Sequence, residues 1–293
     1  MNLLGASRRC PRCGLAIGYD LPALKGRPSK ARANGLGEER VFSASGPEGA
    51  IYGLHTYGLH TVDQPAALFY THFQGEQGAR QLMRLVVVGG QARKVGKTSV
   101  IAALIRGLSM FAWTAVKVSH HAGDAARQDA PSADELPPHL DLLLSEERDP
   151  TGDGDTSLYL AAGARRALWL RTRGNGLARA LPVLLEALEG EEHVIIESNS
   201  LLSFLKPAVF LMVIDESRQD YKASARQFLA CADAFVAVRP DRQPSARPAT
   251  SQQMPDDKPV FWVSRGEWSN PGLCGFVGGR LASAGDQATA FGA

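Results

Sequence analysis

From Arg84 onward, short apolar runs alternate with stretches of helical period. Residues 85–88 are an unbroken apolar run closed by Gly89 and Gly90, which reads as a buried strand. Residues 98–111 set Val100, Ile101, Leu104, Ile105 and Leu108 on one helical face. Further strands are predicted over 113–119, 167–170, 193–197, 209–214, 234–238 and 260–263. A short helix is predicted over 156–162, and longer ones over 176–188, where Pro182 is a bend point, and over 223–232. Continuous apolar strands separated by helices predict a parallel sheet covered on both faces, with right-handed crossovers. Residues 122–154 are polar, acidic and proline-containing, and read as a long loop or mobile insert. Residues 271–293 are rich in Gly and Ala without a strong period, and read as a flexible tail.

Before Met83 neither period is sustained. Gly, Pro and Ser are scattered through 1–50, Lys25 to Arg32 is a short basic run, and residues 52–61 read YGLHTYGLHT. That five-residue unit in tandem is no solenoid, which stacks at least about three units of 20–50 residues. Two readings of 1–82 stand: a poorly structured extension, or a start assigned too early, with translation beginning at Met83.

The chain has 293 residues, 44% hydrophobic and 21% charged, which is globular composition and excludes a disordered chain. No apolar run approaches the roughly 18 residues of a membrane helix. A net charge of +2 argues against a large polyanionic partner such as nucleic acid. Cys10, Cys13, Cys231 and Cys274 are too scattered for a disulfide framework, and the N-terminus lacks an apolar signal core, so a reducing cytoplasm is expected. Cys10-Pro-Arg-Cys13 has the spacing of half a zinc ribbon, but the sequence offers no second half.

The most informative segment, 85–99, reads LVVVGGQARKVGKTS. A strand runs into a glycine turn, and Gly96-Lys97-Thr98 opens a helix, which is the setting of a phosphate loop. Backbone N–H groups and the positive helix end can hold phosphate oxygens. The binding set is then Gly90, Gln91, Ala92, Arg93, Lys94, Val95, Gly96, Lys97, Thr98 and Ser99. Lys97 would reach the β- and γ-phosphates, and the Thr98 hydroxyl would ligate Mg2+. The strict motif places its first glycine where Gln91 stands, and Gly90 comes one position early. Arg93 and Lys94 either strengthen anion binding, reach across a dimer interface, or decorate a solvated turn.

Other polar residues fall at strand ends, where open α/β sheets bind ligands. Glu197 follows four residues of strand, and either holds Mg2+ and polarises water or is a solvated carboxylate. Lys117 shares a strand face with Ser119 and His121, and binds either an anionic substrate or a surface carboxylate. His120 and His121 point to opposite sides and cannot easily share a metal. One of them contacts phosphate or substrate, or simply hydrogen-bonds. Asp153 and Asp155 bind metal or cap the helix at Thr156. Asp215 contacts nucleotide or caps a turn.

Together these residues resemble the MobB family, the nucleotide-binding protein of molybdopterin guanine dinucleotide biosynthesis. The likeness lies in the phosphate loop, in Lys117 with His120 and His121, in Asp155, in Gly163 flanked by Ala162 and Ala164, and in Glu197, over about residues 83–215. The spelling Val95-Gly-Lys-Thr98 is also similar to dethiobiotin synthetase. The resemblance implies an α/β fold, the three-layer P-loop NTPase with a mostly parallel central sheet. It also implies GTP (or ATP) with Mg2+, a homodimer, and a molybdenum cofactor nucleotidyltransferase as partner. Lys97 and Glu197 would be catalytic, Thr98 and Glu197 would hold the metal, and Lys117, His120 and Asp155 would line the site.

Val118 departs from the family's usual His, and Ser198-Asn199-Ser200 follows Glu197 in place of Gly. There is no Asn-Lys-x-Asp guanine motif; Val263-Ser264-Arg265 is a poor substitute. The expected function is slow GTP hydrolysis in molybdenum cofactor biosynthesis. The alternatives are an ATP-dependent small-molecule kinase or ligase on this fold, and a non-catalytic nucleotide-binding adaptor.

Overall fold

A computed structural model of the chain describes residues 83–121, 136, 140–174, 176–239, 255 and 257–289, together with 8–9, 16–17 and 39–40. The tandem repeat at 52–61 and the Cys10–Cys13 pair lie outside the described residues. So does the question of where translation starts.

Strands β1 (Arg8–Arg9) and β2 (Ala16–Ile17) form an antiparallel pair. Strand β3 (Glu39–Arg40) joins the main sheet. The other strands are β4 (Arg84–Gly90), β5 (Thr114–His121), β6 (Leu142–Glu147), β7 (Arg166–Arg173), β8 (His193–Glu197), β9 (Val209–Asp215), β10 (Ala234–Val238) and β11 (Val260–Val263). The helices are α1 (Lys97–Gly107), α2 (Asp155–Ala161), α3 (Gly176–Ala187), α4 (Ala223–Phe228) and α5 (Pro271–Thr289).

The nine-stranded sheet runs β11-β10-β9-β4-β8-β5-β7-β6-β3. Neighbours from β11 to β7 are parallel, while β6 and β3 add antiparallel edges. Alternate residues of β4 face opposite cores. Val86 and Val88 pack with Ile101, Tyr159 and Leu273 of α1, α2 and α5, and Leu85 and Val87 pack with Leu184 and Phe228 of α3 and α4. Three layers follow, helices on both faces of a mostly parallel sheet, with the β4–α1 turn at the sheet's carboxyl edge. This is the α/β phosphate-loop fold that the sequence predicts. Among the described residues no helix is long and apolar enough to cross a membrane.

Three expectations are corrected. The polar stretch 122–154 holds strand β6, in which Leu142, Leu143 and Leu144 are buried and Ser145, Glu146 and Glu147 are half-buried. Its charged half masks the strand signal. Strand β7 runs past the apolar segment, because Trp169, Arg171 and Arg173 alternate with buried residues. The supposed flexible tail is helix α5, so the phosphate-loop unit continues past 270. Leu273, Val277 and Leu281, spaced by four, are buried on one face. Asn270 caps the helix by accepting from the Leu273 N–H at 3.0 Å, with Pro271 next. Close packing of α5 on α1 relies on a glycine of α1: a Cβ on Gly107 would sit 2.5 Å from the Cys274 sulfur.

Candidate phosphate-loop site

Strand β4 delivers the chain into a turn whose Lys94 (φ 58) and Gly96 (φ 97) are left-handed. Such conformations within a turn aim successive N–H groups into one concavity, which suits an anion. Gly90 is required by contact: a Cβ there would lie 2.7 Å from Cδ and 2.8 Å from Cγ of Lys97. The early glycine therefore lets the lysine stem fold over the strand end. A Cβ on Gly96 would lie 2.2 Å from the Trp268 ring, so the segment before α5 packs directly on the loop.

Gln91, the departure from the strict motif, is fully buried and acts as a strut. Its Oε1 accepts from the Asp215 N–H at 2.9 Å, and its Nε2 donates to the Arg218 carbonyl at 3.0 Å. Its own carbonyl accepts from the Lys222 N–H at 2.9 Å. The loop is thereby tied to the turn after β9. Asn199 supplies a second tie, which sequence reasoning missed. Its Oδ1 accepts from the Gly90 N–H at 2.8 Å and its Nδ2 donates to the Gly90 carbonyl at 2.9 Å. The Ser-Asn-Ser that replaces the expected glycine thus braces the strand end opposite it.

Ala92 and Val95 are buried, Arg93 and Lys94 are exposed at the loop's rim, and Ser99 is half-buried in the first turn of α1. The Arg93 carbonyl accepts from Arg218 Nη1 at 3.0 Å.

Three donors converge on Glu197, which is only 8% exposed. Thr98 Oγ1 donates to Oε2 at 3.0 Å, and the Tyr159 hydroxyl donates to the same oxygen at 2.6 Å. Lys97 Nζ lies 3.4 Å from Oε1 and 3.4 Å from the Ala92 carbonyl. Tyr159 is fully buried, and burial first, then the adjacent Glu197 charge, push its hydroxyl pKa well above the usual tyrosine value. It is therefore a proton donor at any physiological pH.

Beside this group, Lys117 Nζ pairs with Asp155 Oδ2 at 2.7 Å and lies 4.9 Å from the centre of the Trp169 ring. Lys117 is the register partner of Glu197. Asp155 opens α2 but caps nothing; the cap position is Gly154, without a side-chain bond, and Asp153 is exposed. His120 does not join the cluster. Val118, two residues before it, packs in the core under α3 and α4, and His120 Nδ1 meets Thr172 Oγ1 at 3.0 Å on that same face. Strand alternation turns it away from Lys117. Asp215 is used internally: it pairs with Arg265 and accepts from the Ser217 N–H at 3.0 Å and hydroxyl at 2.6 Å. Val263-Ser264-Arg265 therefore supplies a half-exposed arginine that pairs with the buried Asp215, in place of a base-reading carboxylate.

The donor set fits the implied ligands. A left-handed turn, a lysine and the start of an eleven-residue helix suit a polyphosphate. The Thr98 hydroxyl and Glu197 carboxylate are hard oxygen donors of the kind that share Mg2+ with substrate phosphates. Among the described residues no group of three or more His, Cys, Asp or Glu side chains is placed to hold a metal.

No protein-family model and no curated protein sequence matches the chain. Solved structures are similar to the chain over part of its length. One is HypB from Helicobacter pylori in complex with nickel, at a TM-score of 0.38 and 15% identity, over 68% of this chain and 87% of that one. Another is LpxK from Aquifex aeolicus in complex with ATP, at a TM-score of 0.38 and 16% identity, over 61% of this chain and 53% of that one. The chain thus spans about half the length of the LpxK structure, and neither likeness extends beyond the fold.

Proposed function

We propose that this chain binds a nucleoside triphosphate with Mg2+ at the β4–α1 turn and hydrolyses it slowly. The observation that carries the reading is the convergence of Lys97 and Thr98, at the start of α1, on the buried carboxylate of Glu197 at the end of β8. Loop N–H groups and Lys97 grip the β- and γ-phosphates, and Thr98 and Glu197 hold the metal, Glu197 through its water shell. Bound Mg2+ supplies neutralisation of phosphate charge. Glu197, held by three donors, is positioned to orient an attacking water. GTP is the preferred base on the resemblance to MobB, as is the wider role: support of molybdopterin guanine dinucleotide synthesis, as a homodimer working with a nucleotidyltransferase.

The test is a thermal-shift and calorimetry panel of GTP, ATP and their diphosphates with Mg2+. Wild type is expected to bind one triphosphate with micromolar affinity. Lys97→Ala is expected to lose at least about a hundredfold in affinity, two charge-assisted contacts being gone, at an unchanged unfolding midpoint. Equal affinity in the variant sinks the assignment of the loop. Phosphorylation of a metabolite in stoichiometric amount, in place of release of phosphate, would move the reading to a small-molecule kinase.

A further inference from the structure

Helix α2 carries two side chains to the carboxyl edge of the sheet. Asp155 and Tyr159 are four residues apart and so share a helix face. Asp155 reaches Lys117 on β5, and Tyr159 reaches Glu197 on β8. Those two targets are register partners on adjacent strands, so the helix is strapped across both strand ends. The Tyr159 ring is wholly buried among Val86, Ile101 and Ala164 in the core beneath α1 and α2. A phenylalanine would fill the same space without a polar atom to satisfy. The hydroxyl instead meets an anionic acceptor at 2.6 Å, within the range of a charge-assisted bond.

Of the three donors on Glu197, Lys97 would leave Oε1 to reach phosphate, while Thr98 would give an oxygen lone pair to the metal and keep its O–H for Oε2. Tyr159 has neither task and holds Oε2 whatever the other two do. We propose that Tyr159 is a positioning residue that keeps Glu197 Oε2 fixed when Lys97 turns to the nucleotide, leaving Oε1 for the metal's water shell. The proposal deepens the Mg2+-nucleotide reading above and rests on it. It acts through Glu197 and does not require the phenol to touch nucleotide or metal.

The experiment measures affinity for a non-hydrolysable triphosphate analogue of the preferred base by calorimetry, once with Mg2+ and once in EDTA. The gain in affinity on adding Mg2+ is the readout. In Tyr159→Phe that gain is expected to shrink about tenfold, the loss of one hydrogen bond to a charged group, while affinity in EDTA stays within about twofold of wild type. Tyr159→Met, which also lacks the hydroxyl but packs more adaptably, is expected to show the same loss. Circular dichroism melts fix a temperature at which each variant is folded. A full Mg2+ gain in both variants overturns the proposal. So does an equal fall in affinity with and without Mg2+, which a merely structural tyrosine would give. Glu197→Gln separates the two levels. If it loses the gain while both Tyr159 variants keep it, the positioning role fails and the site reading stands. If Glu197→Gln keeps the gain, Glu197 is not the metal's carboxylate and both fall.

Discussion

The phosphate loop is held in shape by contacts that a motif does not specify. Gln91 satisfies the Asp215 N–H and the Arg218 carbonyl with one side chain. Gln91→Ala leaves both without that partner in a buried setting, at a cost of about 1–3 kcal/mol. Chemical denaturation is expected to show that loss, with weaker nucleotide binding as the loop slackens; an unchanged midpoint would remove Gln91 from the account. Gly90→Ala acts differently. Its Cβ would fall 2.7 Å from Lys97 Cδ, where the lysine stem can give way, and 2.9 Å from Cγ2 of the buried Val95, which has less room to move. Stability should therefore fall by about 1–3 kcal/mol, and affinity for triphosphate by at least about tenfold as Nζ is displaced. The sequence shows Gly96-Lys97-Thr98 because strand, turn and helix are consecutive there. Gln91, Asn199 and Tyr159 stay hidden because their partners lie far along the chain, up to 127 residues away for Gln91. No local spacing encodes such a pairing.

Strands and helices were legible where one pattern ran unbroken. Strands β8, β9 and β10 are buried throughout and β4 from Leu85 onward, and their centres read as plain apolar runs. Strands β6 and β7 carry charges on half-buried faces near the edge of the sheet, so their apolar signal stops short of their hydrogen-bonded length. Helix α5 was missed because Gly275, Gly278 and Gly279 lower helix propensity and dilute its apolar stripe. Tertiary contact overrides that weakness. The stripe docks against α1 and closes the core beneath β4, which makes the helix part of the site's foundation. Leu273→Ala, at 1% exposure, should cost about 2–5 kcal/mol through lost burial and the cavity left behind. Ser283→Ala, on the exposed side, should stay within about 0.5 kcal/mol of wild type. Equal melting curves for the two variants would show that α5 is not docked as described.

The two ends of the sheet are chemically unlike. The carboxyl edge gathers the loop, Lys117 and Glu197, and the opposite edge holds an ionic network. There Glu191 accepts from Thr114 Oγ1 at 2.8 Å and Arg166 Nη1 at 2.7 Å, and pairs with Arg165. Burial acts to raise the Glu191 pKa, but the hydrogen bonds from Arg166, Thr114 and Arg165 outweigh it and hold the carboxyl below its ordinary value. His193 stacks on Phe111 at 4.3 Å, and burial pushes its pKa down. Both groups bind protons more readily in the unfolded chain. Their contribution is therefore complete above the unfolded pKa and is lost as pH falls through the folded one. Acid should lower the melting temperature in two stages, first below about pH 6.5 as His193 is forced to charge, then below about pH 4.5 as Glu191 is protonated. His193→Phe keeps the stacked ring and removes the first stage. Glu191→Gln removes the second at the expense of the whole curve, since Arg165 loses its carboxylate partner and Arg166 keeps only Glu146. The stages lie across the sheet from the phosphate loop, so saturating triphosphate at pH 7 should raise the melting temperature of wild type and of both variants alike. A melting temperature that rose from pH 7 to pH 5 would reverse the sign of the argument and place the acid-sensitive groups elsewhere.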